Sequence, residues 1–218
     1  MSYRSRALYQ KSHDFFGNRY YDFKKRFQQA SVDEAFMSFS KEVKQTILSW
    51  AKNPTGFLLL TGDPGTGKTY ALSALYNFME NLKAKELESY GMNPEDSWAY
   101  FRVYSEFHFL NEIKKCFDFN VGQTPHDWIE MVSESKVIFY DDLATCKGYD
   151  WQQNILQEFV NERYARSDTA TIFTTNFNMQ EIAEIIDRKT ADRLFDRTSS
   201  FVLEFEGESL RQHPGRNA

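Results

Sequence analysis

The chain has 218 residues, of which 41% are hydrophobic and 26% are charged, and its formal net charge at pH 7 is −5. This length suffices for one sizeable α/β domain and leaves little room for a second domain of equal size. No apolar run approaches the ~20 residues of a membrane span, and no signal-peptide core follows the first basic residues. The two cysteines, Cys116 and Cys146, form neither a metal-binding spacing nor a disulfide framework. These features favour a cytoplasmic protein without membrane contact.

The charge is distributed unevenly along the chain. Residues 1–26 carry seven basic and two acidic side chains, and the rest of the chain carries the remaining 19 basic and 29 acidic ones. A segment of net charge +5 therefore precedes a body of net charge −10. The segment is also rich in aromatic residues: Tyr3, Tyr9, Phe15, Phe16, Tyr20, Tyr21 and Phe23. We define residues 1–30 as the N-terminal arm and residues 31–218 as the domain.

Three interpretations of the arm remain open. Basic and aromatic side chains together are typical of segments that bind single-stranded nucleic acid, through phosphate contacts and base stacking. The same composition suits docking onto an acidic partner protein. The third interpretation is that the arm packs its aromatic rings onto its own domain.

A single helix is predicted directly after the arm. Ser31 and Glu34 have the spacing of a capping box, in which two side chains satisfy backbone N–H groups reciprocally. Apolar residues then recur at helical spacing: Phe36, Phe39, Val43, Ile47 and Trp50. Asn53-Pro54 ends the helix, because the residue before a proline disfavours helical geometry.

The segment Gly62-Asp63-Pro64-Gly65-Thr66-Gly67-Lys68-Thr69 fits the pattern G-x-x-x-x-G-K-[ST] of phosphate-binding loops. An apolar run of strand length, residues 56–61, precedes it. Apolar residues at helical spacing follow it at Leu72, Leu75, Met79 and Leu82. Glycines let the backbone curl so that N–H groups point at phosphate oxygens, and the following helix adds its positive N-terminal end. The chain is therefore predicted to bind a nucleoside triphosphate.

Two side chains of this loop have distinct expected roles. Lys68 reaches the β- and γ-phosphates, and the Thr69 hydroxyl is a ligand for Mg²⁺. The residues expected to contact the nucleotide are Gly62, Asp63, Pro64, Gly65, Thr66, Gly67, Lys68, Thr69 and Tyr70. The polar stretch of residues 83–97 that follows is predicted to be a surface connection.

A strand over residues 98–104 and two further helices are predicted next. Ser105 is the expected N-cap of the first helix. Its apolar face is expected to carry Phe107, Leu110, Ile113 and Phe117. The second helix is short and covers residues 126–132.

Two later strands end in polar side chains that suit a nucleotide site. Residues 137–140 are apolar and run into Asp141 and Asp142, and paired carboxylates beside a phosphate loop are what a Mg²⁺–nucleotide site requires. We assign Asp141 to the Mg²⁺ ion and Asp142 to the attacking water. Residues 170–175 end at Asn176, which is expected beside the γ-phosphate, where it helps to place the water. The helix between these strands has one apolar face: Ile155, Leu156, Phe159 and Val160.

Four motifs, in this order, resemble those of AAA+ ATPases. They are the phosphate loop, Phe139-Tyr140-Asp141-Asp142-Leu143, Thr174-Thr175-Asn176 and Arg193-Leu194-Phe195-Asp196-Arg197. The closing Gly207-Glu208-Ser209-Leu210-Arg211 resembles the Gly-x-Ser-x-Arg ending of the DnaC/DnaI helicase loaders and the IstB transposition helpers. The resemblance covers residues 56–211 and implies an α/β P-loop NTPase fold. That fold is an AAA+ core with a five-stranded parallel sheet between helices, the phosphate-loop strand in the middle, and no helical lid domain.

The resemblance also implies site roles. Proteins of this group bind ATP at interfaces between the subunits of a ring or spiral. Carried over by position, Asn176 is the sensor-1 residue, Arg197 is the arginine finger that enters the neighbouring subunit's site, and Arg211 is the sensor-2 residue. Arg193, one helical turn before Arg197, is the competing finger. Asp142 stands where many AAA+ ATPases have a longer Glu, so slow hydrolysis, stimulated by a partner or by DNA, is expected.

The sequence is thus interpreted as an ATP-switched oligomer that acts on single-stranded DNA and a replicative helicase. An IstB-like transposase helper, acting on duplex DNA, is the alternative. A small P-loop phosphotransferase is a third interpretation, although no Arg-rich lid or acceptor pocket is identifiable for it.

In the loader group, the segment after the second strand lines the inner channel, and here it is about residues 105–131. The loop after the paired carboxylates joins this surface. Its Lys147, Tyr149 and Trp151 suit a phosphate contact and stacking on unpaired bases. The other interpretation is that Tyr149 and Trp151 pack under the following helix.

Overall fold

The polypeptide folds around a sheet of five parallel strands. The computed structural model describes residues 27–93, 100–117, 122–145 and 149–209. The strands are β1 (Gly56–Gly62), β2 (Phe101–Ser105), β3 (Val137–Asp141), β4 (Ala170–Thr174) and β5 (Ser200–Phe205). They lie in the order β2-β3-β4-β1-β5, and every adjacent pair is parallel. The predicted five-stranded parallel sheet is confirmed.

The strand that leads into the phosphate loop is an interior strand but not the middle one. β1 pairs with β4 on one side and with β5 on the other, and β4 is the central strand. The expected middle position is therefore wrong by one strand. β3 and β4 are buried at every residue, as parallel strands covered on both faces are.

Eight helices accompany the strands in the described part of the chain. They are α1 (Val32–Ala35), α2 (Lys41–Lys52), α3 (Lys68–Ser89), α4 (Glu106–Lys115), α5 (Pro125–Ser133), α6 (Asp150–Tyr164), α7 (Met179–Ile185) and α8 (Arg188–Leu194). Within the described ranges, no helix has both the length and the hydropathy needed to cross a membrane.

The sheet lies between two helical layers, as predicted. Side chains alternate between the faces along β1, so that Leu58 and Leu60 join one core and Phe57 and Leu59 join the other. The first core is completed by α1, α2 and α3, and the second by α4 to α8. The apolar face predicted for the helix between β3 and β4 is buried in the second core.

The single helix predicted after the arm is two helices. The Ser31 hydroxyl caps α1 by accepting a backbone N–H at 3.3 Å. The chain leaves helical geometry at Phe36 and starts again after Ser40, which caps α2 in the same way. The break lets Phe36 and Phe39 both contact the ring of Phe205, with centroids 5.9 and 5.0 Å apart. Packing onto the end of β5 therefore overrides the continuous helical periodicity.

Residues 83–89, predicted to belong to a surface connection, are the last turns of α3. Lys83 pairs with Glu86 at 3.0 Å and lies over the ring of Tyr100 at 4.0 Å. Leu87, in the same turns, is buried. These contacts, and the good helix propensity of Lys, Ala, Glu and Leu, outweigh the polar composition that suggested a loop.

α4 begins at its predicted Ser105 cap, but its buried face is rotated from the predicted one. Leu110 and Ile113 are buried as expected, whereas Phe107 is 63% exposed and Phe109 is fully buried. The face turned to the sheet starts at residue 106, one position earlier than predicted, and it also buries a carboxylate. Phe107 is consequently left on the outside.

A cation is buried in the second layer, at the edge where the strands begin, which we call the amino edge. Arg163, in the last turn of α6, is 1% exposed. Its guanidinium donates to three carbonyl oxygens and one hydroxyl, those of Ser133, Ser135, Ala170 and Thr171. Burial lowers the pKa of Arg163 to about 9, so the group stays charged at neutral pH. The guanidinium ties the end of α5 and the start of β4 to α6.

Candidate nucleotide-binding site

The carboxyl ends of β1, β3 and β4 meet at one edge of the sheet, which we call the carboxyl edge. The phosphate loop follows β1, the paired carboxylates end β3, and half-buried Asn176 follows β4. Because β4 lies between β1 and β3, the three predicted motifs are brought together. The Thr175 N–H donates to the Leu60 carbonyl at 3.0 Å and so joins the ends of β4 and β1.

Two glycines of the phosphate loop occupy positions where a side chain would collide. Gly62 has a φ of +130°, and a Cβ there would lie 2.2 Å from the carbonyl oxygen of Phe205. Gly65 has a φ of +89°, and a Cβ there would lie 2.1 Å from the Oγ of Ser209. Glycine is therefore needed both for the left-handed backbone and for the close approach of the end of β5 and of the residues that follow it.

Lys68 is buried inside the loop. Its ammonium donates to the carbonyl oxygens of Gly62 and Asp63, at 2.7 Å each, and only 6% of the residue is exposed. Lys68 is also the first residue of α3, whose N-terminal end carries the partial positive charge of the helix dipole. The cation, the helix end and the curled backbone together form an anion-binding site of the kind that holds phosphate.

Thr69 and Asp141 form the part of the site that suits a divalent cation. The hydroxyls of Thr69 and Thr174 both donate to Oδ1 of Asp141, at 3.0 and 2.6 Å. Hydroxyl and carboxylate oxygens are ligands that Mg²⁺ prefers, and this ion often takes only one or two protein ligands beside water and phosphate oxygens. The pair Thr69 and Asp141 therefore fits Mg²⁺.

Asp142 extends beyond the sheet in a strained backbone conformation. Its φ is +63° and that of Ala144 is +68°, values that non-glycine residues rarely adopt. The N–H groups of Asp142 and Leu143 donate to the Oγ1 and the carbonyl of Thr174, at 2.9 and 2.8 Å. The strain is thus held by the neighbouring strand, a common arrangement at functional sites. Asp142 itself is exposed, which leaves its carboxylate accessible to water.

Two residues that bind this turn from neighbouring elements were not identified from the sequence as site residues. The Thr174 hydroxyl binds both the Asp141 carboxylate and the Asp142 N–H, so it sets the relative position of the two. Glu106 is fully buried and accepts the N–H of Ala144. Thr174 could have been identified from the sequence, because its hydroxyl ends an apolar strand next to the strand that carries the carboxylates. Glu106 carried no signal beyond its place in the first turn of α4.

Tyr70, which was predicted to contact the nucleotide, is turned towards the end of the arm. Its hydroxyl donates to the carboxylate of Glu34, and its ring meets that of Phe27 edge-on at 6.0 Å. Burial, and then the hydrogen bond with Glu34, raises the pKa of Tyr70. The side-chain amide of Asn77 donates to the carbonyl oxygens of Phe27 and Ala30 at 3.1 Å. The end of the arm therefore lies on the phosphate-loop helix.

The two candidate finger arginines lie at the amino edge. Arg193 is in the last turn of α8, and Arg197 is in the turn before β5. In the register of the sheet, Ser200 lies beside Phe57 at the start of β1. The guanidinium of Arg193 lies over the ring of Tyr164 at 5.4 Å, whereas Arg197 is exposed. The structure brings neither arginine to the phosphate loop of its own chain.

Part of the expected DNA-binding surface can be located. Tyr149 precedes α6 and is 65% exposed. Trp151 is partly buried, and its ring meets that of Phe117 edge-on at 5.6 Å. Tyr149 is therefore available for stacking, and Trp151 packs against its own domain.

Some residues with predicted roles lie outside the described ranges. They are the arm over residues 1–26, Trp98, Cys146, Lys147 and Arg211. Their roles stay predictions.

The strand order, the phosphate loop after β1, the carboxylate pair that ends β3 and the polar tip of β4 together define a P-loop nucleotide-binding fold of the AAA+ type. No protein-family model and no curated protein sequence matches the chain.

Solved structures that share this fold include a helicase loader and a replication initiator. The DnaC helicase loader superposes with a TM-score of 0.60 at 18% identity, over 84% of this chain and 99% of that one. DnaI gives a TM-score of 0.52 at 17% identity, over 84% and 94%. The replication initiator DnaA bound to AMPPCP and single-stranded DNA gives 0.56 at 14% identity, over 83% and 50%. The chain has the AAA+ ATPase fold as it occurs in DnaC and DnaI, and the resemblance drawn from the motifs is confirmed at the level of the fold.

Proposed function

We propose that this protein is an ATP-hydrolysing AAA+ protein, an ATP-switched oligomer that delivers a replicative helicase to single-stranded DNA. The observation that carries the proposal is the convergence of Lys68, the Thr69–Asp141 pair and Asp142 at the carboxyl edge. The similarity in fold to a helicase loader and to DnaI supports the biological setting.

In this proposal, each motif at the carboxyl edge has one task. Lys68 binds the β- and γ-phosphates through charge-assisted hydrogen bonds, which replace its bonds to the loop carbonyls. Thr69 and Asp141 hold Mg²⁺, which when bound neutralises charge on the β- and γ-phosphate oxygens. Asp142 accepts a hydrogen bond from the attacking water and takes its proton, and Asn176 orients the same water.

The geometry of the sheet supports a site shared between two copies of the chain. Arg197 precedes Ser200, which pairs with Phe57, and the phosphate loop begins at Gly62, five residues further along β1. At about 3.3 Å per residue, the strand alone separates the two edges by roughly 17 Å. Arg197 therefore serves the triphosphate of a neighbouring copy. We assign the finger to Arg197 because Arg193 is engaged with the Tyr164 ring.

DNA contact is proposed where the end of α4 lies beside the start of α6. Phe117 and Trp151 hold these two helices together at this point. Exposed Tyr149 offers a ring for base stacking, and exposed Lys114 offers a phosphate contact. Because the domain is acidic overall, DNA binding depends on such local groups rather than on net charge.

The deciding experiment is a pull-down of the full-length protein from cell extract, with and without ATP, in parallel with Lys68→Ala. Recovery of a hexameric helicase by the unmutated protein, only with ATP, supports the proposal. Recovery of a transposase would replace it with the IstB-like alternative. Phosphorylation of a small metabolite without any protein partner would identify a phosphotransferase instead.

Deleting residues 1–26 in the same assay separates the three interpretations of the arm. Loss of the helicase with ATP binding intact assigns the arm to partner docking. A shallower salt dependence of DNA binding, by nearly one unit of slope per lost phosphate contact, assigns it to DNA. If the melting temperature falls while helicase recovery and DNA binding are unchanged, the arm packs onto its own domain.

A further inference from the structure

The turn that carries Arg197 is organised by one carboxylate. Asp196 accepts the Thr198 N–H at 3.0 Å and the hydroxyls of Thr198 and Ser199 at 2.8 and 3.0 Å. The hydroxyl of Tyr164 donates to the same carboxylate at 2.7 Å. Each of these four groups is a donor, so the turn depends on an acceptor with two oxygens at this position.

Tyr164 comes from a different element and is itself held in place. It is the last residue of α6, and its ring contacts Phe57 of β1 at 6.2 Å on one side. The Arg193 guanidinium lies over the ring at 5.4 Å. The preceding residue, Arg163, anchors the end of α6 to the sheet through the four hydrogen bonds described above. The hydroxyl of Tyr164 therefore joins the Arg197 turn to the rigid part of the domain.

We propose that Asp196 and Tyr164 are positioning residues that present Arg197 to the ATP site of a neighbouring copy; this rests on the proposed function. Arg197 is exposed, so the direction of its side chain depends on the backbone that carries it. The backbone on both sides of it is fixed by the Asp196 carboxylate. A fixed backbone reduces the orientational entropy that the side chain loses when it binds transition-state charge.

The test uses mixtures of two variant chains. In such a mixture ATP is hydrolysed only at a site that combines Asp142 of one chain with Arg197 of the other. Asp142→Asn chains supply an intact finger but do not hydrolyse ATP, and Arg197→Ala chains hydrolyse only with a neighbour's finger. Tyr164→Phe is placed either on the Asp142→Asn chain or on the Arg197→Ala chain. This variant keeps the ring contacts with Phe57 and Arg193 and removes only the hydroxyl.

We expect the rescued kcat to fall roughly 3- to 10-fold when Tyr164→Phe is on the finger-supplying chain, the usual worth of one hydrogen bond. Rescue should be unchanged when it is on the hydrolysing chain, and KM for ATP should be unchanged in both mixtures. A merely structural role would lower both mixtures equally and would overturn the proposal. Tyr90→Phe, which removes the hydroxyl of an exposed tyrosine at the end of α3, is the matched control and should change neither.

Asp196→Asn gives an independent measurement, because an amide places a donor among four donors. We expect a larger loss of rescue than with Tyr164→Phe, again only on the finger-supplying chain, with the melting temperature checked in the same preparation. Full rescue by Asp196→Asn chains would overturn the proposal. No rescue even in the parent mixture of Asp142→Asn with Arg197→Ala would instead overturn the shared site itself.

Discussion

The two edges of the sheet hold their functional side chains in different ways. At the carboxyl edge, Lys68 and Asp141 are buried, and their described partners are loop carbonyls and threonine hydroxyls. At the amino edge, Arg197 is exposed and only the backbone around it is fixed. Buried groups suit a ligand bound within one chain, whereas an exposed arginine on a fixed turn suits a site completed by another. Under the proposed function, each copy carries two half-sites that face in opposite directions.

The largest effect is expected from removing the cation of the carboxyl edge. Lys68→Ala should abolish ATP binding, because the fixed positive charge at the β- and γ-phosphates is lost. Titration with a fluorescent nucleotide measures this directly. Lys85→Ala, an exposed lysine near the other end of α3, is the matched control and should bind normally. Equal ATP affinity in Lys68→Ala and the unmutated protein would show that the nucleotide does not bind at this edge.

The next effect separates binding from turnover at the same edge. Asp142→Asn should keep its ATP affinity and lose roughly 10²- to 10⁴-fold in kcat, the usual contribution of a general base. Steady-state ATPase assays and nucleotide titration together give both values. Asp168→Asn changes an exposed carboxylate at the amino edge and should leave both unaltered. Normal turnover in Asp142→Asn would mean that another group acts on the water.

Removing the candidate finger at the amino edge should lower ATP turnover without changing ATP affinity. Arg197→Ala should lose up to ~10³-fold in kcat, and mixing it with Asp142→Asn should restore activity, because each chain supplies the half that the other lacks. Arg193→Ala removes a cation–π contact, so it should cost roughly 0.5–1 kcal/mol of stability. If Arg193→Ala mixtures are rescued and Arg197→Ala mixtures are not, the finger is Arg193.

A smaller effect is expected on DNA binding beside the carboxyl edge. Replacing Lys147 and Tyr149 together by Ala should weaken ATP-dependent single-strand binding about 10-fold, given roughly 1–3 kcal/mol for each stacked base. The melting temperature should not change, because Tyr149 is largely exposed. Trp151→Ala should lower the melting temperature instead, since it loses its contact with Phe117. Lower stability with unchanged DNA affinity in the double variant would show that the pair belongs to the core.

The smallest expected effect is the pH dependence of the stability that Asp196 gives to the amino edge. The Thr198 N–H, followed by the Tyr164 hydroxyl, lowers the pKa of Asp196 from 3.8 to about 2. A lowered pKa means that the stabilisation is complete above about pH 4 and is lost as the pH falls towards 2. The difference in melting temperature between the unmutated protein and Asp196→Asn should be constant from pH 7 to about pH 4 and shrink below it. A difference that varies between pH 5 and 8 would point to another titrating group.

The carboxyl edge could be predicted from the sequence because its chemistry prescribes residue types at the ends of strands. One loop contains glycines, a lysine and a hydroxyl, and carboxylates follow a later apolar run. Few structures other than a nucleotide-binding site combine these features. The inward face of α4 could not be predicted in this way. Phe107 and Phe109 are equally apolar, and the contacts of distant strands and helices decide which one is buried. The burial of Glu106 follows from the same contacts.

The amino edge was less predictable because its side chains act through partners that are distant in sequence. Arg193 and Arg197 have helical spacing, yet α8 ends at Leu194, so the two do not share a helix. Tyr164 engages Arg193 and anchors the turn of Arg197. No local pattern links this tyrosine to either arginine, so the competition between them could not be resolved from motifs.

The buried guanidinium of Arg163 has a consequence for the unfolding of the domain. It satisfies carbonyl oxygens of Ser133 and Ser135 at the end of α5 and of Ala170 at the start of β4, two segments that are far apart in the chain. If one of these segments detached alone, polar groups would stay buried without partners, at a cost of roughly 1–3 kcal/mol each. The end of α5, the end of α6 and the start of β4 therefore open as one cooperative unit. A lysine could not replace Arg163, because a single ammonium cannot reproduce the planar set of donors that reaches both the end of α5 and the start of β4.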